Sequence, residues 1–150
     1  MEYEVGIKSK EEFRAVFDRM VESAKINFQM DGSLCPVLMA FTYKKGLVIN
    51  AFRWTTPESK VIEAEICTRK MSELQCYAYI FISEAWLTEI KTGIKKEKVV
   101  IIATDMLKNN FQYTADIVAG KLYNEVVEEG VDTVDLLFSG IFNGAKEGGK

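Results

Sequence analysis

The chain has 150 residues, of which 48% are hydrophobic and 27% are charged, and its formal net charge is -3. These values are typical of a single folded domain and exclude a disordered chain. A mildly acidic chain with scattered lysines also lacks the basic stripe that binds phosphate backbones, so we expect no nucleic-acid partner.

The first predicted helix covers residues 9–30. Ser9 and Glu12 have the spacing of a capping box, and apolar residues then recur at helical spacing. Gly32 follows, and glycine readily adopts the left-handed conformation that ends a helix.

Two β-rich runs then flank Lys44, Lys45 and Gly46. This pattern predicts a hairpin with a three-residue loop and Gly46 in the left-handed position. In the predicted register, Phe41 faces Ile49.

A second predicted helix is capped by Thr56, has Pro57 at its first position and ends near Gln75. Its predicted apolar stripe consists of Val61, Ala64, Cys67, Met71 and Leu74.

Three further runs predict strands. YAYIFISEAWLTEI (77–90) and VVIIATDML (99–107) are apolar on both faces, and FQYTADIVAG (111–120) alternates more cleanly. Residues 121–129 are ambiguous and can form a sixth strand. Between the first two runs, Lys95, Lys96 and Lys98 are interpreted as a solvated hairpin tip that discourages edge pairing.

The last predicted element is a helix within VDTVDLLFSGIFNGA (131–145). Its predicted apolar face consists of Val134, Leu137, Phe138, Ile141 and Ala145. Gly140 inside it costs about 1 kcal/mol relative to alanine. Residues 1–150 are predicted to be one domain, with 146–150 a frayed tail.

This order predicts an α+β fold. Helices pack on an antiparallel sheet of five or six strands in the order α-β-β-α-β-β-β-(β)-α. The order resembles the roadblock and profilin-like arrangement of small scaffold domains. The resemblance covers the order of elements and no motif, so it implies a topology and no function.

The sequence contains no histidine. This excludes Ser-His-Asp and Cys-His catalysis within one chain, and scattered cysteines alone do not build a zinc site. We therefore predict neither a metal nor a cofactor. Cys35, Cys67 and Cys76 are interpreted as small buried hydrophobes of a reducing compartment.

No apolar run reaches the roughly 20 residues that span a bilayer, and no signal-peptide pattern is present at the N-terminus. We therefore expect a cytoplasmic protein without a membrane partner.

Glu84 interrupts the most apolar run. Strand alternation places it on the face of Ile80, Ile82 and Trp86. A carboxylate in an apolar layer must be paired, hydrogen-bonded or protonated. We interpret it as a structural carboxylate held by Arg, Lys, Tyr or a backbone amide, with Arg53 the preferred partner, and we predict that Trp86 is largely buried.

In the alternative interpretation, Glu84 is a general acid or base. If the hairpin centres near Gly93 and Ile94, Glu84 faces Ala103 and Asp105 lies one step along, so two carboxylates could divide acid and base roles. This second hypothesis is a small-molecule-binding protein or enzyme with a pocket around Glu84, Trp86, Arg53 and Asp105.

The leading hypothesis is a non-catalytic scaffold or binding module that self-associates through its sheet or its second helix. The expected homo-oligomer is a dimer, and a different protein is left open as a further partner. Strands that are apolar on both faces support it, because a second copy could cover one face. No catalytic motif assigns a reaction, so the sequence leaves open whether the protein is an enzyme.

Overall fold

The structure is a computed structural model that describes residues 7–130 and 136–148. Within these residues, three helices and six strands follow in the predicted order, which confirms the α+β class. The elements are α1 (Lys10–Asp31), β1 (Val37–Thr42), β2 (Gly46–Ala51), α2 (Pro57–Glu73), β3 (Cys76–Thr88), β4 (Lys95–Asp105), β5 (Asn110–Val118), β6 (Lys121–Glu129), a 3-10 turn at Leu136–Phe138, and α3 (Asn143–Gly148). The ambiguous segment 121–129 is thus the sixth strand.

The strands form one open antiparallel sheet in the order β2-β1-β3-β4-β5-β6. Strands β3 to β6 form a meander of consecutive hairpins, whereas β1 reaches β3 only after the chain has passed through β2 and α2. The two longest strands, β3 and β4, therefore lie at the centre, and β2 and β6 are the edges.

Helix α1 begins and ends at its predicted caps. The Ser9 hydroxyl accepts the N–H of Glu12 at 3.1 Å, and the N–H of Gly32, at a φ of 73°, donates to the carbonyl of Phe28 at 2.7 Å. Its buried side chains are Phe13, Phe17, Val21, Ala24 and Phe28. This spacing gives α1 one continuous apolar face toward the sheet.

Helices cover both faces of the central strands. The layer under α1 includes Phe13, Phe17, Phe28, Ile80, Ile101, Phe111 and Tyr113. The layer under α2 and the 3-10 turn includes Leu38, Phe52, Cys67, Met71, Tyr79, Phe81 and Phe138. The two-sided apolar pattern of β3 and β4 is therefore satisfied at the centre of the sheet by helices of the same chain.

The β1–β2 hairpin has a loop of three residues, as predicted, but the loop consists of residues 43–45 instead of 44–46, and the register differs. Phe41 pairs with Leu47 instead of Ile49, and Gly46 has the expected positive φ of 68°. Thr42 fixes this register, because its hydroxyl donates to the carbonyl of Gly46 at 2.8 Å and accepts the N–H of Lys45 at 3.0 Å.

The predicted last helix is split. The 3-10 turn and α3 are separated at Gly140, whose φ of 88° is incompatible with a continuous α-helix. Phe138, Ile141 and Ala145 are buried as predicted. Val134 lies outside the described residues, and α3 includes residues 146–148 of the predicted tail.

Among the described residues, no helix is long and apolar enough to cross a bilayer.

Candidate functional site: the exposed β3–β4 arm and the outer face of α2

Glu84 is half-buried and has a backbone partner. Its Oε1 accepts the N–H of Leu34 at 2.7 Å, which ties the segment between α1 and β1 to β3. A backbone amide is one of the partners that the structural interpretation predicts. The prediction that Arg53 is the partner of Glu84 was wrong, because Arg53 is exposed and no ion pair joins Arg53 to Glu84, both of which are described residues.

Asp105 lies far from Glu84 along the sheet. Glu84 pairs with Val99 instead of Ala103, whereas Asp105 pairs with Ala78, six residues away along β3. At about 3.3 Å per residue this separates the two positions by roughly 20 Å. The predicted pairing of two carboxylates in one pocket therefore does not form.

Asp105 instead orders the turn after β4. Its Oδ1 accepts the N–H of Leu107 at 3.0 Å and of Asn109 at 2.9 Å, and its Oδ2 accepts the Asn109 amide at 2.8 Å. This turn also holds Lys108 at a φ of 66°. The hydrogen bonds account for Asp105 as a turn residue.

The prediction that Trp86 is buried was wrong, because 68% of the residue is exposed. Its predicted face is correct: Trp86 pairs with Glu97 and lies on the α1 side with Glu84. However, β3 continues beyond the end of β1, whose last partner there is Ile82. No described element therefore covers the sheet at Trp86.

We define residues 86–97 as the β3–β4 arm. Its three cross-strand pairs are Trp86–Glu97, Leu87–Lys96 and Thr88–Lys95, and neither β1 nor β5 pairs with them. The turn beyond them is closed by backbone hydrogen bonds from Glu89 to the carbonyl of Ile94 at 2.9 Å and from Gly93 to the carbonyl of Glu89 at 2.8 Å. The arm is thus an ordered two-stranded ribbon that projects past the sheet.

A buried carboxylate holds the base of this arm. Asp116 in β5 accepts a hydrogen bond from the Asn124 amide at 2.9 Å and lies 3.3 Å from the Lys98 ammonium and 3.7 Å from that of Lys96. The Asn124 hydrogen bond, followed by the two lysines, holds the pKa of Asp116 below its usual range. Asp116 therefore pairs with the two lysines nearest the sheet, Lys96 and Lys98. Lys91 and Lys95 at the tip, which the structure also describes, make no contact with this carboxylate.

A second polar network joins α1 to β6. The Tyr113 hydroxyl donates to Glu125 Oε1 at 2.7 Å, and the Lys25 ammonium lies 2.8 Å from the same oxygen. The hydrogen bond from Lys25, and then that from Tyr113, lowers the pKa of Glu125, whereas burial raises the pKa of Tyr113. Because each group has its partner, we interpret the network as structural.

Helix α2 exposes apolar side chains on the side away from the sheet. Ala64, Cys67 and Met71 are buried, whereas Ile62 and Ile66 are 56% and 62% exposed. Residues four apart lie on one face of a helix, so the two isoleucines form one patch. Val61 belongs to the exposed side as well, contrary to its predicted place in the buried stripe.

Sequence reasoning missed this patch although its signal was present. Ile62 and Ile66 have helical spacing but fall outside the predicted stripe, so α2 carries apolar residues in two directions. A helix that is apolar beyond its buried face marks an additional contact surface.

Within the described residues, no three carboxylates or thiols cluster as metal ligands would. Comparison of the chain with protein-family models, with curated proteins and with solved structures finds no match.

Proposed function

We propose that the protein is a non-catalytic cytoplasmic scaffold or binding module that forms a homodimer through the outer face of α2. The observation that carries this proposal is the exposed pair Ile62 and Ile66 on a helix whose opposite face already packs on the sheet. Fully burying an isoleucine contributes roughly 1.5–3 kcal/mol, and a symmetric interface would bury both residues from each copy.

The charges in the first and last turns of α2 favour a second copy in antiparallel orientation. Glu58 lies in the first turn of α2 and Lys70 in the last. If Ile62 packs on Ile66 of the second copy, the shared midpoint at position 64 also places Glu58 opposite Lys70 of that copy. A parallel pair would instead place like charges together and align the helix dipoles unfavourably.

The proposal of a non-catalytic role is supported by the separation of the four residues that were predicted to line one pocket. Glu84 and Asp105 each have hydrogen-bond partners of their own and lie far apart. Trp86 is exposed on the arm, and Arg53 has no ion pair with Glu84. No observation in the described chain favours the second hypothesis of a carboxylate pocket.

The proposal is tested by measuring molar mass with light scattering at tens of micromolar. The wild type should have twice the mass of one chain, and Ile66→Asp should have the mass of one chain, because a carboxylate in the interface would be desolvated without a partner. The matched control is Ile49→Asp, since Ile49 in β2 is 61% exposed and lies outside the interface. A monomeric wild type, or equal dissociation by both variants, would contradict the proposal.

A charge exchange tests the orientation. Glu58→Lys and Lys70→Glu should each weaken the dimer, because each single change places like charges opposite one another. The double variant should restore the dimer, since it reverses both members of each pair. If the double variant is weaker than either single variant, the antiparallel register is wrong.

A further inference from the structure

The β3–β4 arm exposes apolar side chains on both of its faces and in its turn. Trp86 lies on the α1 side and the next residue, Leu87, on the opposite side, and both are exposed. Ile90 and Ile94 lie in the turn, and Ile90 at the apex is 98% exposed. A flat protein interface would contact one face of this ribbon, whereas a fluid lipid surface would surround it.

Positive charge lies directly behind the apex. Lys91 lies in the turn, Lys95 directly follows it, and both are exposed. Of the nearest carboxylates, Glu97 is set farther back, whereas Glu89 lies at the start of the turn, 3.9 Å from Lys96, so Lys91 and Lys95 outnumber the one carboxylate there. The tip therefore carries a local positive charge in a chain whose formal net charge is -3.

We propose that the arm docks the protein on an anionic lipid surface. Ile90 and Ile94 enter the boundary between headgroups and acyl chains, Lys91 and Lys95 contact lipid phosphates, and Trp86 lies at the headgroup level. The backbone hydrogen bonds within the turn and the arm satisfy many polar groups that lipid would otherwise leave unpaired.

This proposal revises the sequence-based expectation of no membrane partner. That expectation rests on the lack of a spanning segment, whereas docking at the surface needs only apolar side chains at an exposed tip and nearby positive charge. The sequence distributes those residues over a turn and two strands, so no continuous apolar run marks them.

The arm and the α2 patch are separate surfaces, so the two proposals can fail independently. A dimer gains vesicle affinity over a monomer only where both of its arms reach the same membrane. The monomeric variant Ile66→Asp should nevertheless retain vesicle binding through one arm.

The test uses sedimentation of the full chain with phosphatidylcholine vesicles, either pure or containing about 30% phosphatidylserine, at low and physiological ionic strength. The wild type should bind the anionic vesicles and not the neutral ones, and added salt should weaken binding. Ile90→Asp, and separately the double variant Lys91→Glu/Lys95→Glu, should each weaken binding at least about tenfold.

The chain offers a matched charge control in its other lysine-bearing hairpin. Lys44→Glu/Lys45→Glu makes the same change in net charge at exposed positions between β1 and β2. This variant should bind as the wild type does. If the two charge variants lost vesicle binding equally, the vesicles would be attracting the protein through its overall charge and not through a docking site. That result would overturn the proposal.

Fluorescence locates the contact without an arm substitution. The chain has two tryptophans, and Trp54, which stacks on Phe52 at 4.6 Å, can be replaced by phenylalanine so that Trp86 alone reports. Trp86 emission should shift to shorter wavelength on anionic vesicles. Absence of wild-type binding to anionic vesicles, as expected if the arm serves a protein partner, or binding without this shift would overturn the proposal.

Discussion

Glu84 connects two parts of the chain with one hydrogen bond. Because it accepts the N–H of Leu34 at 2.7 Å, it satisfies a backbone donor in the segment that enters the sheet. The sequence predicts that this carboxylate needs a partner, since apolar residues surround it. It does not identify the partner, because a backbone amide fifty residues away leaves no mark in the side-chain pattern.

The three cysteines differ in exposure, contrary to the prediction that all are buried. Cys35 is exposed, whereas Cys67 and Cys76 are buried. Burial raises the pKa of Cys67 to about 11 and that of Cys76 to about 12. The two buried thiols are therefore protonated at neutral pH and shielded from reagents.

We expect an aromatic disulfide reagent at neutral pH to titrate one thiol rapidly in the native protein and all three in denaturant. Cys35→Ser should abolish the rapid phase and leave the fold intact, as circular dichroism would verify. Rapid native reaction of Cys67 or Cys76 would show that the α2 layer opens more readily than its packing implies.

At the scale of elements, the C-terminal helix approaches α2 as closely as a glycine allows. A Cβ added to Gly144 would lie 1.7 Å from the carbonyl oxygen of Ser72. The N–H of Gly144 also donates to the Ser72 hydroxyl at 2.9 Å. A larger residue at position 144 must therefore push α3 away from α2.

Gly144→Ala is expected to lower the free energy of unfolding by roughly 1–3 kcal/mol, because the clash is with backbone and cannot be relieved by a rotamer change. Urea unfolding measures the loss. The control is Ser72→Ala, which removes the hydroxyl but keeps the carbonyl and should cost only about 1 kcal/mol. An unchanged stability of Gly144→Ala would mean that α3 does not dock at this distance.

The chemistry of neighbouring residues was enough to predict the helices and strands, whereas it was not enough to predict how the strands are aligned. Thr56 and Pro57 mark the start of α2 by their own properties, and the structure confirms them. Both predicted hairpin registers were wrong by an even number of residues, two at Phe41 and four at Glu84. Alternation identifies the face of a strand, and an even shift keeps that face, so only turn geometry can select the register.

The candidate surfaces were harder to predict for a related reason. Exposure of Trp86 depends on where β1 ends, and β1 is distant in sequence. Exposure of Ile66 depends on how α2 is rotated about its axis, which its two apolar directions leave open.

At the scale of the whole molecule, two carboxylates with ion-pair and hydrogen-bond partners link stability to pH. The pKa of Asp116 lies below its usual range in the folded state, as does that of Glu125. A group with a depressed folded pKa stabilises the fold above its unfolded pKa, and this contribution is lost as the pH falls through the folded value.

We therefore expect the free energy of unfolding to decrease below about pH 4. Asp116→Asn should lower the free energy of unfolding at neutral pH by about 1 kcal/mol. It should also make the further decrease of that free energy at acid pH smaller than in the wild type. Urea unfolding across a pH series measures both effects, with the exposed Glu128→Gln in β6 as the control. A pH profile of Asp116→Asn parallel to that of the wild type would show that this carboxylate contributes nothing.

The order of strands in the sheet also has a consequence for the order in which the strands pair during folding. Strands β3 to β6 pair with their neighbours in sequence, so each pairing closes only a short loop. The pairing of β1 with β3 is different, because it must close a segment that includes β2 and α2. The entropy of loop closure is therefore concentrated in one event, and the meander of β3 to β6 can form before β1 and β2 complete the sheet.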